Sequence, residues 1–262
     1  MRLDWLKIGK FKNLRYFEID FDERELSTVL IGENGTGKSN VIEAIVEVFR
    51  DLDFGAVTSF PYAIAYFCQG HRIEIDNGLN EKRLSFFVNG EPTSKTAFAA
   101  RRHELMPSKV FGYYSGTSRR LEQLFDKHQV RYYKKVISPE STPDEVGNLD
   151  LRRLFYCRPA YGPLSLLSYF AFGSDSAKSF LKKNMSIAAF DSALLVLRKP
   201  RWSGSKPTAH QREHGDPRFW YSAGLVKQLL EKLWEHSLAP FSDSNREQDD
   251  YRTKSRLFNF PS

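Results

Sequence analysis

The sequence has few cysteines and no long apolar run. Its two cysteines, Cys68 and Cys157, are too few and too isolated for a disulfide framework or a zinc site, and we expect both to be buried, reduced thiols. No stretch of about eighteen apolar residues is present, so no transmembrane helix and no membrane partner are expected. The N-terminus, MRLDW, lacks the apolar segment of a secretory signal. These absences predict a cytoplasmic protein.

Acidic residues are fewer than basic ones. The chain has 39 Lys and Arg against 32 Asp and Glu, a formal net charge of +7. This excess is compatible with a polyanionic partner such as DNA or RNA, and equally with a solvated basic surface. The 262 residues suit one large domain or two small ones, and 41% of them are hydrophobic, which is enough for a core.

Hydrophobic periodicity in the first half predicts β-strands. Phe17, Ile19 and Phe21 alternate with acidic residues at the period of a half-buried strand, and a first strand precedes them around residues 3–8. The short apolar run Leu26–Ile31 is expected to be a buried strand. Later runs, accompanied by Asn-Gly turns, indicate an antiparallel meander and one further strand: Ala63–Gln69, Arg72–Asp76, Arg83–Val88 and Val110–Tyr114.

A glycine-rich motif joins the predicted strand Leu26–Ile31 to an amphipathic helix predicted over about Lys38–Leu52. Residues 32–39, GENGTGKS, fit the pattern G-x-x-x-x-G-K-[ST]. Glycines let the backbone wrap around a phosphate with its N–H groups pointing inward, and the helix N-terminus adds partial positive charge. In this strand–loop–helix context, the motif predicts a site for a nucleoside triphosphate, namely ATP with Mg²⁺.

Each polar residue of the motif has an expected role. Lys38 should reach the β- and γ-phosphates and is the candidate catalytic residue, and Ser39 should offer its hydroxyl to Mg²⁺. Asn40 is either a contact near the α-phosphate or an exposed helix-start residue, and Lys12 and Asn13 are either nucleotide contacts or ordinary turn residues. The candidate nucleotide-binding residues are therefore Lys12, Asn13, Gly32, Glu33, Asn34, Gly35, Thr36, Gly37, Lys38, Ser39 and Asn40.

Residues 1–50 resemble the N-terminal lobe of SMC/RecF/OLD-type ABC ATPases, a group that includes AAA-family ATPases associated with restriction and phage defence. The resemblance rests on MRL at 1–3, IGKFKNL at 8–14, LIGENGTGKSN at 30–40 and IEAI at 42–45. The run VFGYYSG at 110–116 is similar to the defence-associated branch. The resemblance implies that Lys38 and Ser39 bind phosphate and Mg²⁺, and that Lys12, with Asn13 beside it, approaches the phosphates or ribose.

Hydrolysis in these ATPases also needs a Walker B strand ending in Asp-Glu and a Leu-Ser-Gly-Gly-type signature, and neither is recognisable here. Asp191 follows an apolar run but precedes Ser192, so a helix-surface residue is the favoured interpretation. Gln69 is a candidate magnesium-sensing residue, and an edge-strand surface position is its favoured alternative. We therefore expect the chain to be the N-terminal piece of a longer ATPase, or a second polypeptide to complete the site.

The second half has the patterns of helices. Four helices are predicted, over Ser118–Val136, Pro163–Phe172, Ser174–Lys183 and Asp216–His236. Three polar stretches are expected to be loops: Ser138–Asn148, Lys199–Pro217 and Asp243–Asp250. The sequence thus predicts an α/β fold, a P-loop NTPase lobe of the ABC-ATPase head type with a mixed sheet over residues 1–116, followed by a helical subdomain over residues 117–262.

The remaining candidates concern partners and metals. The basic face of the Ser118–Val136 helix, with Arg131 and Tyr133, is either a DNA or RNA contact or a solvated surface. His210 and His214 have a metal-ligand spacing if helical, but a solvated loop is favoured because no third ligand is near. The resemblance implies ATP-dependent pairing of heads in a homodimer or larger assembly that acts on an effector protein, DNA or RNA, with antiviral defence as its implied setting. The alternatives are a stand-alone P-loop phosphotransferase and a non-hydrolysing, nucleotide-dependent interaction module.

Overall fold

The chain forms two compact units. Unit 1 comprises Met1–Val130 and Leu149–Tyr156, and unit 2 comprises Arg131–Asn148 and Cys157–Ser262. Unit 1 therefore continues beyond residue 116, where the sequence suggested a boundary, and a later strand returns to it. The computed structural model describes residues 1–25, 27–80, 83–116, 118–147, 152–159, 161–198, 207–238, 240–243 and 255–260.

Unit 1 is built on a six-stranded antiparallel sheet. Its strands are β1 (Arg2–Phe11), β2 (Leu14–Asp20), β3 (Tyr62–Cys68), β4 (His71–Asn77), β5 (Leu84–Val88) and β6 (Glu91–Thr93). Hydrogen-bonded neighbours follow the order β2-β1-β3-β4-β5-β6. The pairing of β1 sets Leu6 opposite Ile19 on one side and opposite Ile64 on the other. The predicted N-terminal strands and the antiparallel meander are confirmed.

A long helix, α1 (Lys38–Phe54), supplies the main apolar face that packs with this sheet. Val48 and Phe49 are fully buried in one cluster with Leu6 and other sheet residues. The Phe49 ring meets the Tyr66 ring edge-on, with centroids 5.3 Å apart. The helix predicted over Lys38–Leu52 is therefore confirmed. Its apolar residues recur at helical spacing, so they form one side of the helix, and that side covers a face of the sheet. Two short helices follow β6: α2 (Lys95–Ala100) and α3 (Arg102–Leu105).

The strand predicted over Leu26–Ile31 is wrong for its described part, since residues 27–31 form no strand. Val29 is 78% exposed and Ile31 is 91% exposed, whereas a buried strand was expected. β-branched residues favour a strand only where a neighbouring strand offers hydrogen bonds and cover. Residues 27–31 pair with no strand of the central sheet, so they lack these hydrogen bonds and this cover. Leu26 lies outside the described residues.

The segment 118–136 differs from the single long helix predicted over Ser118–Val136. The structure has two helices there, α4 (Arg120–Gln123) and α5 (Asp126–Val136), with a turn at residues 124–125. Phe125 turns inward at this break and is 3% exposed. It lies so close to Gly112 that a Cβ there would be 2.4 Å from the Phe125 ring. Gly112 ends β7 (Val110–Gly112), which pairs in parallel with β8 (Leu154–Tyr156).

Unit 2, which falls within the predicted helical subdomain, contains a small sheet as well as helices. Strands β9 (Ala193–Arg198), β10 (Phe241–Asp243) and β11 (Ser255–Phe260) form an antiparallel sheet in the order β10-β11-β9. The predicted helices Pro163–Phe172 and Ser174–Lys183 are confirmed with shifted bounds, as α7 (Tyr161–Phe172) and α8 (Asp175–Met185). Ser174 caps α8 by accepting a hydrogen bond from the backbone N–H of Ala177.

Two predicted loops of unit 2 contain helices, and one predicted helix starts late. The segment 138–148 contains α6 (Pro143–Gly147), and the segment 199–217 contains α9 (Ala209–His214), although residues 199–206 lie outside the described part of the chain. The helix predicted from Asp216 begins only at Gly224, as α10 (Gly224–His236), because a 3₁₀ turn and two residues with positive φ precede it. Of the predicted loop 243–250, residues 244–250 are not described.

The two cysteines differ in their environment. Cys68 lies buried in β3, whereas Cys157 is only half-buried, so the prediction of two buried thiols is confirmed for Cys68 alone. Within the part of the chain that the structure describes, no helix is long and apolar enough to cross a bilayer.

Candidate functional site

The motif at residues 32–39 forms an exposed loop that leads directly into α1. Its centre is a turn in which the Thr36 hydroxyl donates to the carbonyl oxygen of Glu33 over 2.9 Å. Gly35 and Gly37 have φ values of +86° and +106°, which residues with a Cβ rarely adopt. The glycines of the motif therefore sit where the backbone curves most sharply.

Lys38 is the first residue of α1, and its side chain folds back over the loop. The ammonium group donates to the carbonyl oxygens of Gly32 and Glu33, at 2.6 and 2.7 Å. These contacts hold a point of positive charge inside the curve of the loop. A phosphate is a stronger acceptor for this ammonium than a neutral carbonyl, because a charge-assisted hydrogen bond is about twice as strong.

The start of α1 is suited to an anion. Its N-cap residue is Gly37, no side chain caps the helix, and no acidic residue lies in its first turn. The first N–H groups of a helix have no partner within the helix, and the helix dipole adds about half a positive charge there. Most helices satisfy this end with a side-chain acceptor, whereas this one leaves it open to a phosphate oxygen.

The turn between β1 and β2 supports the loop through two asparagines. The Asn13 amide donates to the carbonyl oxygen of Gly35 over 2.8 Å, and the Asn40 amide donates to the Asn13 side-chain oxygen over 2.6 Å. The structure thus places Asn13 and Asn40 beside the motif, where Asn13 bonds the loop backbone and Asn40 bonds Asn13. Their geometry indicates that they hold the loop in shape.

Lys12 is engaged by a carboxylate that the sequence reasoning missed. Its ammonium pairs with Glu43, which is 3% exposed on α1. A second cation, the guanidinium of Arg120, lies 3.6 Å from the same carboxylate. The spacing from Ser39 could have drawn attention to Glu43, because a residue four positions later lies on the same face of a helix. Its two cationic partners come from distant segments and have no such signal.

Two pockets meet at Ser39. The larger, of about 590 Å³, is lined by Lys38, Ser39, Ile42 and residues of the segment 21–30. Its volume lies within the usual range of small-molecule sites, about 300–1,000 Å³. The smaller, of about 90 Å³, is lined by Ser39, Glu43, Tyr113, Tyr114 and Arg120, among others. Ser39, whose hydroxyl is expected to meet Mg²⁺, therefore borders both pockets.

Replacing Gly37 by alanine is expected to lower ATP affinity at least about tenfold and to destabilise unit 1 by about 1–3 kcal/mol. A Cβ at Gly37 would lie 2.8 Å from Leu14 Cδ2 and 3.0 Å from Asn13 Oδ1, in addition to the strain of its positive φ. Calorimetric titration and urea unfolding measure the two effects.

Gly35→Ala is the matched control for this substitution. Gly35 also has a positive φ, but nothing lies within 4 Å of the position that a Cβ would occupy there. Its alanine variant should therefore have backbone strain without a steric clash, and should lose less affinity and stability than Gly37→Ala. Equal losses in the two variants would contradict the argument from close approach.

Other sequence candidates lie away from these contacts. Gln69 occupies the turn between β3 and β4, where its amide donates to the carbonyl oxygen of His103 over 2.9 Å. Asp191 is exposed in the segment that precedes β9, which belongs to unit 2. It does not lie on a helix, contrary to the favoured interpretation.

His210 and His214 lie on α9, with ring centroids 4.6 Å apart. Their segment is therefore helical where a loop was favoured. Among the described residues, no group of three or more His, Cys, Asp or Glu side chains is arranged to hold a metal ion.

The predicted basic face of the Ser118–Val136 segment is partly neutralised. Arg119 pairs with Glu122 at 3.0 Å, and Lys135 pairs with Glu145 at 3.1 Å. Because of these ion pairs, the face is not a uniformly basic surface for nucleic acid.

Comparison with known proteins gives a family match. A family model described as an AAA ATPase domain matches residues 1–139, slightly more than half of the 262 residues. The matched span includes residues 32–39, the β1–β2 turn and Glu43. No curated protein matches the chain.

Proposed function

We propose that this chain, which belongs to the AAA ATPase domain family, binds ATP together with Mg²⁺ at residues 32–39. The observation that carries the proposal is the Lys38 ammonium, held by two loop carbonyl oxygens at an uncapped helix start. Family membership supports nucleotide binding in general, and the geometry of this loop supports the assignment to these residues.

The residues of the loop and of the start of α1 fit the phosphates of ATP and its Mg²⁺. Lys38 and the first N–H groups of α1 would hold the β- and γ-phosphates, and the Ser39 hydroxyl would be a ligand of Mg²⁺. Bound Mg²⁺ supplies positive charge that neutralises the phosphate oxygens. Asn13 and Asn40 keep the loop curved, so that little ordering is required when the phosphates arrive.

We further propose that hydrolysis requires a carboxylate-bearing partner, either another part of a longer ATPase or a second polypeptide. Val29 and Ile31, directly before the loop, are apolar and exposed, which supports a strand partner that covers them in the working assembly. Such an assembly, with heads paired by ATP as in the SMC/RecF/OLD-type ATPases, would act on DNA or an effector protein. Its use in antiviral defence belongs to this proposal.

The function is tested by titrating ATP into the chain with and without Mg²⁺, followed by a turnover assay. Tight binding with negligible turnover supports an incomplete ATPase site. Brisk turnover by the chain alone would instead favour the stand-alone phosphotransferase. Failure of ATP to bind in either condition would reject the proposal for this chain.

The Ser39→Ala variant is expected to bind Mg²⁺–ATP about tenfold more weakly than the parent, because the metal loses one oxygen ligand. Binding of ATP in the presence of EDTA should change by less than about twofold, since the hydroxyl acts through the metal. Calorimetric titration under both conditions gives the two ratios. Thr28→Ala, which removes a hydroxyl from the same large pocket, is the control. Equal losses with and without Mg²⁺ would contradict the metal role of Ser39.

A further inference from the structure

Unit 2 contains a separate pocket with aromatic walls. The pocket has a volume of about 280 Å³, and its lining includes Tyr133, Phe219, Trp220, Tyr221 and Ser222. Every residue that lines it belongs to unit 2. Neither the phosphate-binding loop nor the matched family domain assigns a role to its segment 210–223. Its polar lining residues are Ser138, His210, Gln211 and Ser222. A pocket that combines several aromatic rings with a few polar side chains is suited to a planar ligand.

Two of these aromatic residues are held in an unusual backbone conformation. Trp220 and Tyr221 have φ values of +56° and +60°, in the left-handed region that bulky residues rarely adopt. Backbone bonds fix the turn: the Tyr221 N–H donates to the carbonyl oxygen of Asp216 over 2.9 Å, and the Asp216 N–H donates to that of Ser222 over 3.0 Å. Strained residues of this kind cluster at ligand sites, where the surrounding structure maintains them.

The Asp216 carboxylate stabilises the same turn. It accepts hydrogen bonds from the Arg218 side chain, at 2.7 to 3.1 Å, and from the Arg218 backbone at 2.8 Å. Burial alone would raise the pKa of Asp216, but these bonds outweigh it and hold that pKa below its ordinary value. The acidic group next to the pocket is thus neutralised by its own neighbour, so it opposes an anionic ligand only weakly.

Ser222 places a hydroxyl group without a protein hydrogen-bond partner beside the pocket. Its hydroxyl oxygen is buried and has no hydrogen-bond partner within the described part of the chain. A buried hydroxyl without a partner costs free energy, which a ligand with a polar edge would recover. The same residue lines the aromatic pocket. The preferred ligand therefore combines a flat apolar face with a hydrogen-bonding edge, as a nucleobase does.

The excess positive charge of the protein resides almost entirely in unit 2. This unit has 19 basic and 13 acidic residues, whereas unit 1 has 20 basic and 19 acidic residues. Arg131 and Lys134 lie on α5, which also contributes Tyr133 to the pocket. A base that enters this pocket would therefore bring its phosphates towards the helix that carries Arg131 and Lys134. This favours an unstacked, polyanionic strand over a neutral planar molecule.

From these observations we propose that the pocket of unit 2 binds an unstacked base of single-stranded nucleic acid. Trp220, Tyr221 and Tyr133 provide the rings against which the base stacks, and the Ser222 hydroxyl bonds its polar edge. Arg131 and Lys134 attract the strand through its phosphates, which makes binding salt-dependent. The proposal does not depend on ATP binding at residues 32–39.

The test compares strands of equal charge with and without bases. Fluorescence anisotropy is measured with a labelled oligothymidylate of about twelve nucleotides and with an abasic strand of the same length. All variants carry Lys38→Ala, so that the phosphate-binding loop does not contribute. Trp220→Asn should weaken oligothymidylate binding by about 5- to 150-fold, the range for loss of one stacked base, and should leave abasic binding unchanged. Because Asn tolerates the left-handed region, this variant should still form the turn and fold.

Ser222→Ala provides a second variant with a distinct signature. It should weaken oligothymidylate binding severalfold and leave the unfolding transition unchanged or raised, because the unpartnered hydroxyl is gone. Tyr169→Ala, which removes a 50%-exposed aromatic ring from α7 of the same unit, is the control and should stay within twofold of the parent.

Several outcomes would overturn the proposal. The first is an affinity for the abasic strand equal to that for oligothymidylate, and the second is an affinity for duplex DNA equal to that for oligothymidylate. The third is an unchanged affinity for oligothymidylate in a folded Trp220→Asn variant. Competition by free AMP at the same concentration as the oligonucleotide would identify a mononucleotide ligand, and would also overturn it.

Discussion

The Lys38→Ala variant is expected to lose ATP binding by about 30- to 1,000-fold, the largest effect of any single substitution at the site. The ammonium lies inside the curve of the loop, bonded to the carbonyl oxygens of Gly32 and Glu33. Its replacement removes charge-assisted bonds to the phosphates, a loss of roughly 2–4 kcal/mol in a partly enclosed site. Calorimetric titration with Mg²⁺–ATP measures the loss.

Folding should survive this substitution, because Lys38 is partly exposed and its present partners are loop carbonyls that water can replace. Lys7→Ala is the matched control: Lys7 is a lysine of β1 that is partly exposed, like Lys38, and pairs with Glu18 at 3.2 Å. It should bind ATP like the parent, since an exposed pair contributes little. If Lys38→Ala binds ATP within threefold of the parent, residues 32–39 are not the phosphate site.

The parts of the molecule that the sequence predicts well are those governed by local rules. Period-two alternation located β2, and the Asn-Gly pair at 89–90 marked a turn in which Asn89 has a φ of +53°. The motif at residues 32–39 was legible because each position has its own local requirement: glycine for curvature, lysine for charge, serine for an oxygen ligand. Such local requirements can be recognised in the sequence without knowledge of the tertiary structure.

The errors arose where a distant partner decides the local structure. Residues 27–31 have the composition of a strand, but composition does not supply a neighbouring strand. The break between α4 and α5 depends on the space beside Gly112 that receives Phe125, and nothing near residue 125 announces it. Likewise, tryptophan and tyrosine at positions 220 and 221 are poor sequence signals for positive φ, because the bonds of Asp216 impose that conformation.

The contacts of the candidate site show the same division. Gly37, Lys38 and Ser39 were predictable from their spacing, whereas the Glu43 carboxylate acquires partners 31 residues before it and 77 residues after it, Lys12 and Arg120. The site is thus a local motif supported by long-range contacts. Substitutions in the motif should affect ligand binding first, and substitutions in the supporting contacts should affect folding first.

A buried ion cluster in unit 1 is the clearest long-range contact of this kind. Asp53, near the end of α1, accepts from the Arg153 guanidinium and pairs with the His128 ring, each at 2.9 Å. The three side chains are at most 3% exposed. Arg153 precedes β8 and His128 lies on α5, so one carboxylate ties three separate segments of unit 1 together. No sequence pattern indicates an interaction across 75 and 100 residues.

The Asp53→Ala variant is expected to lower the free energy of unfolding of unit 1 by about 3–5 kcal/mol. The Arg153 guanidinium would remain buried, at 1% exposure, without its carboxylate. Since whole domains are stable by only about 5–15 kcal/mol, this is a large fraction of the total. Urea unfolding followed by circular dichroism measures the change. Hydrogen exchange at the Val110 amide, which donates to the carbonyl oxygen of Arg153 over 2.9 Å, should report the local loosening.

Two comparison variants make this prediction specific. Glu122→Ala breaks the ion pair with the largely exposed Arg119 and should cost no more than about 1 kcal/mol. The double variant Asp53→Leu, Arg153→Met removes both buried charges and should recover part of the loss, because the penalty comes from an uncompensated charge. If Asp53→Ala costs no more than Glu122→Ala, the cluster does not hold unit 1 together. If the double variant is less stable than Asp53→Ala, the packing of these side chains matters more than their charge.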